Sequence, residues 1–215
     1  MSKYKVAVFD MDGTVLDTLA DMHACVNHIL SSYGCPTRTY DEVRSFVGNG
    51  IGPLLARSFP ADYKMDEKKV FGEFMDYYRG HCVDKTKPYD GITKLLSDLK
   101  HSGVKIAIVS NKPHLAVNQL AERFFSGLYD VAVGEIEGLA KKPAPDEVFY
   151  ALDQLGEDKT AAVYIGDSDV DLMTAKNSGL DCISVSWGFK TKEFLLSLGA
   201  KTIVDKPSEA LEKII

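Results

Sequence analysis

Short apolar runs recur along the chain, each stopped by small or polar residues and each followed by a segment with helical spacing. They fall at Val6 to Phe9 and at residues 104–109, 131–133, 161–165 and 182–185, with a weaker run at 202–204. Runs of this length, rich in Val and Ile and bounded by breakers, suit strands buried on both faces. The intervening apolar positions follow a helical period: Ile92, Leu95, Leu96 and Leu99 before Gly103, then residues 115–124, then Val148, Phe149, Leu152 and Leu155 before Gly156, then 170–176 before Gly179. Glycine just past a periodic stretch is a helix stop. The alternation predicts an α/β fold, a doubly wound, mostly parallel and Rossmann-like sheet.

One stretch breaks the alternation. From Leu19 to Lys85 the apolar residues keep helical spacing (Leu19, Met22, Val26, Ile29, Leu30, Tyr33, then Val70, Phe71, Phe74, Met75, Tyr78) and no strand is evident. This predicts a helical domain, residues 18–85, inserted into a core built from 1–17 and 86–215. Asp17 and Thr18 can cap the opening helix, and the breaker-rich residues 85–91 return the chain, so both junctions are expected to act as hinges. A chain of 215 residues that is 45% apolar and 26% charged can bury such a core.

Acidic residues outnumber basic ones, giving a net charge of −6 that argues against nucleic acid or anionic membranes as partners. Cys25, Cys35, Cys82 and Cys182 form no C-x-x-C pair, so the spacing suggests neither a zinc site nor a redox motif and suits reduced thiols in a cytoplasmic protein. The first apolar run is too short for a signal peptide or a membrane span.

In open α/β sheets ligands bind beyond the carboxyl ends of the strands. Here the first strand runs into Asp10-Met11-Asp12-Gly13-Thr14, the second into Ser110-Asn111-Lys112, and the fourth into Gly166-Asp167-Ser168-Asp169-Val170-Asp171, with Lys141-Lys142-Pro143-Ala144-Pro145-Asp146 just upstream of the fourth. Carboxylates converging on one edge repel each other, and a divalent cation relieves that conflict. Oxygen donors with room for water and phosphate suit Mg²⁺ better than zinc. The pattern therefore points to metal-assisted chemistry on a phosphate.

Taken in order, Asp-x-Asp-Gly-Thr, Ser-Asn-Lys, Lys-Pro-x-Pro and Gly-Asp-Ser-x-x-Asp, each in its strand context, resemble the haloacid dehalogenase superfamily of aspartate-dependent phosphotransferases, and within it the phosphoglycolate phosphatase-like branch with a helical cap. The resemblance implies a hydrolase of small phosphorylated metabolites, 2-phosphoglycolate foremost. It makes Asp10 the nucleophile that forms an aspartyl-phosphate and Asp12 the general acid and base. Asp10, the carbonyl of Asp12 and Asp167 would hold Mg²⁺, with Asp171 behind them or bound through water. Ser110, Lys142 and the backbone near Gly13 and Asn111 would hold the phosphoryl group.

Competing readings attach to several of these residues. Asp17, Asp146 and Ser168 stand where helix capping accounts for them, Asp169 is expected to face solvent, and Lys112 reads equally as a solvated side chain at a helix start. Trp187 suits core packing better than the alternative of lining the active-site floor, and the five histidines show no metal-ligand spacing. The stretch Gly48-Asn49-Gly50-Ile51-Gly52 fits either a nest for an anionic ligand or a turn between helices, with Pro53 opening the second. Asp17-Thr-Leu-Ala-Asp21 resembles the phosphoglycolate phosphatase cap, with Ala20 where that branch usually has Pro. Alternatives within the fold are pyrophosphatase, nucleotide phosphatase or a β-phosphoglucomutase-type mutase. The mutase reading is weakened because Met22 stands at the hinge-histidine position and His23 falls one residue late. Carbon–halogen chemistry needs neither Asp12 nor a metal, and a non-catalytic phosphate sensor would lack the insert. Sequence leaves monomer and homodimer equally open.

Overall fold

A computed structural model describes residues 2–215. The chain alternates as the periodicity predicts, and its sheet is wholly parallel. The strands are β1 (Val6–Phe9), β4 (Lys105–Pro113), β5 (Val131–Glu135), β6 (Ala162–Gly166), β7 (Asp181–Val185) and β8 (Ile203–Val204), joined in the order β5-β4-β1-β6-β7-β8. Val8 of β1 lies opposite Ala107 of β4 on one side and Tyr164 of β6 on the other. The chain builds outward from β1 through β4 to β5, then returns to β6 on β1's opposite side. That reversal puts the topological switch point at the ends of β1 and β6, where doubly wound sheets bind ligands.

Helices α5 (Ile92–His101), α6 (His114–Phe125), α7 (Asp146–Leu155), α8 (Asp169–Ser178), α9 (Lys192–Ser197) and α10 (Pro207–Ile214) connect and follow these strands. Every residue of β1 and β6 is buried, in keeping with a parallel sheet covered on both faces. Val6, Val8, Ala107, Val109, Val133 and Tyr164 share one core cluster with Val148, Ala151 and Leu152 of α7. Gly156 and Gly179 close α7 and α8 in the left-handed conformation, as their positions predict.

The backbone falls into two compact units: the chain up to Leu16 with Pro88–Ile215, and Asp17–Lys87. The second unit is helical: α1 (Leu19–Ser32), α2 (Tyr40–Phe46), α3 (Ile51–Ser58) and α4 (Glu67–His81), with α1 packed on the other three. The two crossings between units, β2 (Leu16–Asp17) and β3 (Lys87–Pro88), pair as a two-stranded ribbon. Strands of two residues carry no periodicity, which is why the sequence reading shows none here.

Within the helical unit Asp21 is 2% exposed, and its carboxylate accepts the backbone N–H groups of Lys85 (3.0 Å) and Thr86 (2.8 Å). The return segment is thereby fastened to the first turn of α1. Asp17 caps α1 by accepting the Leu19 N–H at 3.3 Å, whereas the Thr18 side chain makes no cap bond. Gly48 to Gly50 connect α2 to α3, which begins at Ile51 and not at Pro53. Arg57 braces that connection through the Phe46 carbonyl (2.8 Å) and Asn49 Oδ1 (2.9 Å). His23 is tied to the Arg38 carbonyl (3.1 Å) and to Asn27 (3.0 Å). All four cysteines stand as thiols, and no helix among the described residues is long and apolar enough to cross a membrane.

Candidate active site

Of the residues singled out at the strand ends, Asp10 and Asp171 meet the side chain of Lys142. Its side chain is 3% exposed, and the ammonium donates to Asp10 Oδ1 (2.6 Å), Tyr164 Oη (2.9 Å) and Asp171 Oδ1 (3.0 Å). Burial alone would lower the Lys142 pKa, but Asp10, Asp171 and Tyr164 raise it well above the ordinary value, so the cation is secure. Asn111 holds the loop that carries it, donating from Nδ2 to the Lys142 carbonyl at 2.9 Å. The Asn111 side chain is thus spent on anchoring Lys142.

Asp10, Asp167 and Asp171, all buried, each offer a carboxylate oxygen within 4.8 Å of the others. Burial, then Asp171, push the Asp10 carboxyl well above its usual range, and Lys142 opposes them. Asp167 is pushed up to about 7, again by burial first and Asp171 second. Three buried carboxylates with one lysine among them carry net negative charge that a hard cation would neutralise, and their donor atoms are all oxygen, the set that Mg²⁺ takes.

Asp171 is the most heavily bonded of the three. Its Oδ2 accepts from Ser168 Oγ (2.6 Å), Ser168 N (3.1 Å) and Asp167 N (3.2 Å), and its Oδ1 accepts from Lys142 and Tyr164. Five donors saturate the roughly four lone-pair positions of a carboxylate, leaving Asp10 and Asp167 with more acceptor capacity. Ser168 and Asp171 also form the capping box that opens α8, so the cap that the sequence suggests at Ser168 fixes a site residue as well. Asp169 is exposed, as expected, and Asp146 lies inside α7, accepting weakly from the Ala140 N–H at 3.4 Å, with Pro145 as the N-cap.

Asp167 is aimed from two sides. Its Oδ2 accepts the Phe189 N–H at 2.6 Å and its Oδ1 the Thr14 hydroxyl at 3.4 Å. Two glycines make that approach possible. A Cβ on Gly13, whose φ is +88°, would collide with the Asp167 carboxylate, and one on Gly188 would strike Asp167 and the Gly13 carbonyl. Trp187 is half-buried, and its indole N–H bonds the Thr14 carbonyl at 3.0 Å, which makes it a brace between the β7 exit and the β1 loop instead of plain core packing.

Asp12 takes a different environment. Its carboxylate lies outside the three-carboxylate cluster, 3.2 Å from Lys112 Nζ and 3.4 Å from the Ser110 hydroxyl. Lys112 corrects the solvated reading, since its side chain is 2% exposed. The cause is that β4 continues past Val109 to Pro113, with an irregular register against β5 over that stretch, and this carries Ser110, Asn111 and Lys112 into buried positions. Tyr164 escapes the sequence reading entirely. The signal for it was a lone phenol among the aliphatic residues of a fully buried strand, whose hydroxyl must find a polar partner.

Three buried carboxylates and a buried lysine thus meet at the switch point of a doubly wound parallel sheet, a set of groups suited to a divalent cation and a phosphate. The family model described as haloacid dehalogenase-like hydrolase matches residues 7–185, and the chain belongs to that family, among its phosphatases. A phosphoglycolate phosphatase of Caulobacter vibrioides is 34% identical over 201 residues, covering 91% of this chain and 84% of the relative. An N-acetylmuramic acid 6-phosphate phosphatase of Pseudomonas aeruginosa is 30% identical over 213 residues, covering 98% and 94%. The crystal structure of a candidate phosphoglycolate phosphatase from Lactobacillus delbrueckii subsp. bulgaricus superposes with a TM-score of 0.92 at 38% identity, over 100% of this chain and 99% of that one.

Proposed function

We propose that the protein is a Mg²⁺-dependent phosphomonoesterase that works through an aspartyl-phosphate on Asp10, with 2-phosphoglycolate as its preferred substrate. The observation that carries the mechanism is the Asp10 carboxylate, buried at the end of β1, 2.6 Å from the Lys142 ammonium and clustered with Asp167. Asp10 attacks phosphorus, forming the acyl-phosphate bond as the ester bond to the leaving alcohol breaks. Asp12 gives its proton to that alcohol and then takes one from the water that cleaves the acyl phosphate. Lys112 and Ser110 orient Asp12 for both transfers. Lys142, with the Ser110 hydroxyl and the backbone N–H groups near Gly13 and Asn111, offsets charge on the phosphoryl oxygens.

The Asp10 and Asp167 carboxylates and the Asp12 carbonyl would hold Mg²⁺, with Asp171 behind them. When bound, the ion supplies positive charge that keeps Asp10 ionised and polarises the phosphoryl group. The helical unit Asp17–Lys87 is the cap, and residues 16–17 and 87–88 are its hinge. Because Asp21 ties Lys85 and Thr86 to α1, the return hinge expected over residues 85–91 is narrowed to the residues after Thr86.

Relatives named phosphoglycolate phosphatase support the substrate, and the Pseudomonas relative supports a larger sugar phosphate as a second reading. Phosphate release from 2-phosphoglycolate, N-acetylmuramic acid 6-phosphate, pyrophosphate and nucleotides, with and without Mg²⁺ and with Asp10→Asn as blank, tests both. A Mg²⁺-dependent maximum on 2-phosphoglycolate is expected. A maximum elsewhere discards the substrate and keeps the mechanism, and release that ignores Mg²⁺ discards the mechanism.

A further inference from the structure

We infer that Tyr164 is a positioning residue: its hydroxyl, set between the Lys142 ammonium and the Asp171 carboxylate, keeps that ammonium on Asp10. The inference rests on the proposed role of Lys142. Lysine is a flexible four-carbon stem ending in three rotatable donors, and holding it in one geometry requires a partner for each. Here each is matched, to Asp10 at 2.6 Å, Tyr164 at 2.9 Å and Asp171 at 3.0 Å. Tyr164 is fully buried on β6, opposite Val8 and therefore two residues before Asp10 on the neighbouring strand. Its ring cannot leave that place, so its oxygen is a fixed point at which the lysine is held.

The phenol O–H donates to Asp171 Oδ1 at 2.9 Å, which turns the oxygen's lone pairs toward Lys142. Removing the hydroxyl affects the two neighbours unequally. Asp171 keeps four donors, from Ser168, the Asp167 N–H and Lys142 itself. Lys142 is left with one N–H unpaired in a side chain 3% exposed, and it relieves this by turning away from Asp10. The loss therefore falls on the lysine.

The test is a double-mutant cycle on the full-length protein with Mg²⁺, using whichever ester of the panel releases phosphate fastest. Tyr164→Phe should lower kcat by about 10- to 100-fold, the worth of one hydrogen bond to a charged group, with KM changed less than about twofold. In a Lys142→Met background the same substitution should cost no more than about twofold, because the hydroxyl acts only through the lysine. Losses that multiply in the double variant, or Tyr164→Phe turning over like wild type beside a slow Lys142→Met, overturn the inference alone. A Lys142→Met enzyme that turns over normally overturns the lysine's role and the inference with it. Urea midpoints establish that each variant is folded. If Lys142→Met does not fold, the ¹⁵Nζ resonance of Lys142 decides: slow proton exchange in wild type that is lost in Tyr164→Phe is expected, and equal exchange in both refutes the role.

Discussion

Glu147 offers a sharp test of the packing around the Lys142 loop. It sits in the first turn of α7 at 0% exposure, and its carboxylate oxygens make no well-formed hydrogen bond among the described residues, the Lys142 backbone N–H acting on them only weakly. Burial raises its pKa from 4.5 to about 7, with Glu135 adding to the rise and Lys142 and Lys141 opposing it. In the unfolded chain the carboxyl ionises near 4.5, so the folded state is unpenalised below that pH. Stability is lost as pH climbs from about 4.5 through 7, because only the unfolded state gives up its proton freely. A displacement of this size is worth roughly 3 kcal/mol. Glu147→Gln keeps the shape of the protonated acid and cannot ionise. Urea unfolding of both proteins from pH 4.5 to 8.5 reads the difference. At pH 4.5 the variant should match wild type or fall slightly below it. By pH 8.5 it should be the more stable by roughly 2 kcal/mol or more, since the contributions of all other titrating groups cancel in the comparison. A difference that stays constant across the range would refute the reasoning and show the carboxyl to be solvated or paired.

Three other substitutions test separate parts of the account. Asp12→Ala should lower kcat by roughly two to four orders of magnitude, on the proposed proton-transfer role, and should also lower the urea midpoint, because it takes the carboxylate away from the buried Lys112 ammonium. Gly13→Ala should abolish most turnover and destabilise the core, since its Cβ meets Asp167 at a φ of +88°; an active Ala variant would contradict the geometry. Asp21→Ala should cost about 2 to 4 kcal/mol by orphaning the Lys85 and Thr86 N–H groups, and amide exchange at those two residues should accelerate selectively.

The alternation of Val-rich runs with helix-period segments was enough to place every strand of the six-stranded sheet, because burial on both faces writes a continuous apolar run. It also placed Asp10, Asp167, Ser110 and Lys142 at one edge, since residues that follow parallel strands have only that edge to occupy. What it missed depends on geometry that spacing does not encode. Lys112 looked solvated because β4 was read as ending at Val109, whereas the strand runs on and turns the side chain onto Asp12. Tyr164 carries no motif, and only the destination of its hydroxyl between Lys142 and Asp171 marks it. The resemblance puts Asp171 behind the metal, and its five donors leave it less acceptor capacity than Asp10 or Asp167. The β2 and β3 ribbon was too short to leave a pattern, and the clamp from Asp21 joins residues 64 apart in the sequence.

If phosphate passes through Asp10, the aspartyl-phosphate can be trapped during turnover. Protein quenched in acid during turnover of a ³²P-labelled ester with Mg²⁺ should carry label that hydroxylamine removes, and peptide mapping should place it on Asp10, with none on Asp10→Asn. Steady release of phosphate with no labelled protein, or label on another residue, would contradict the account.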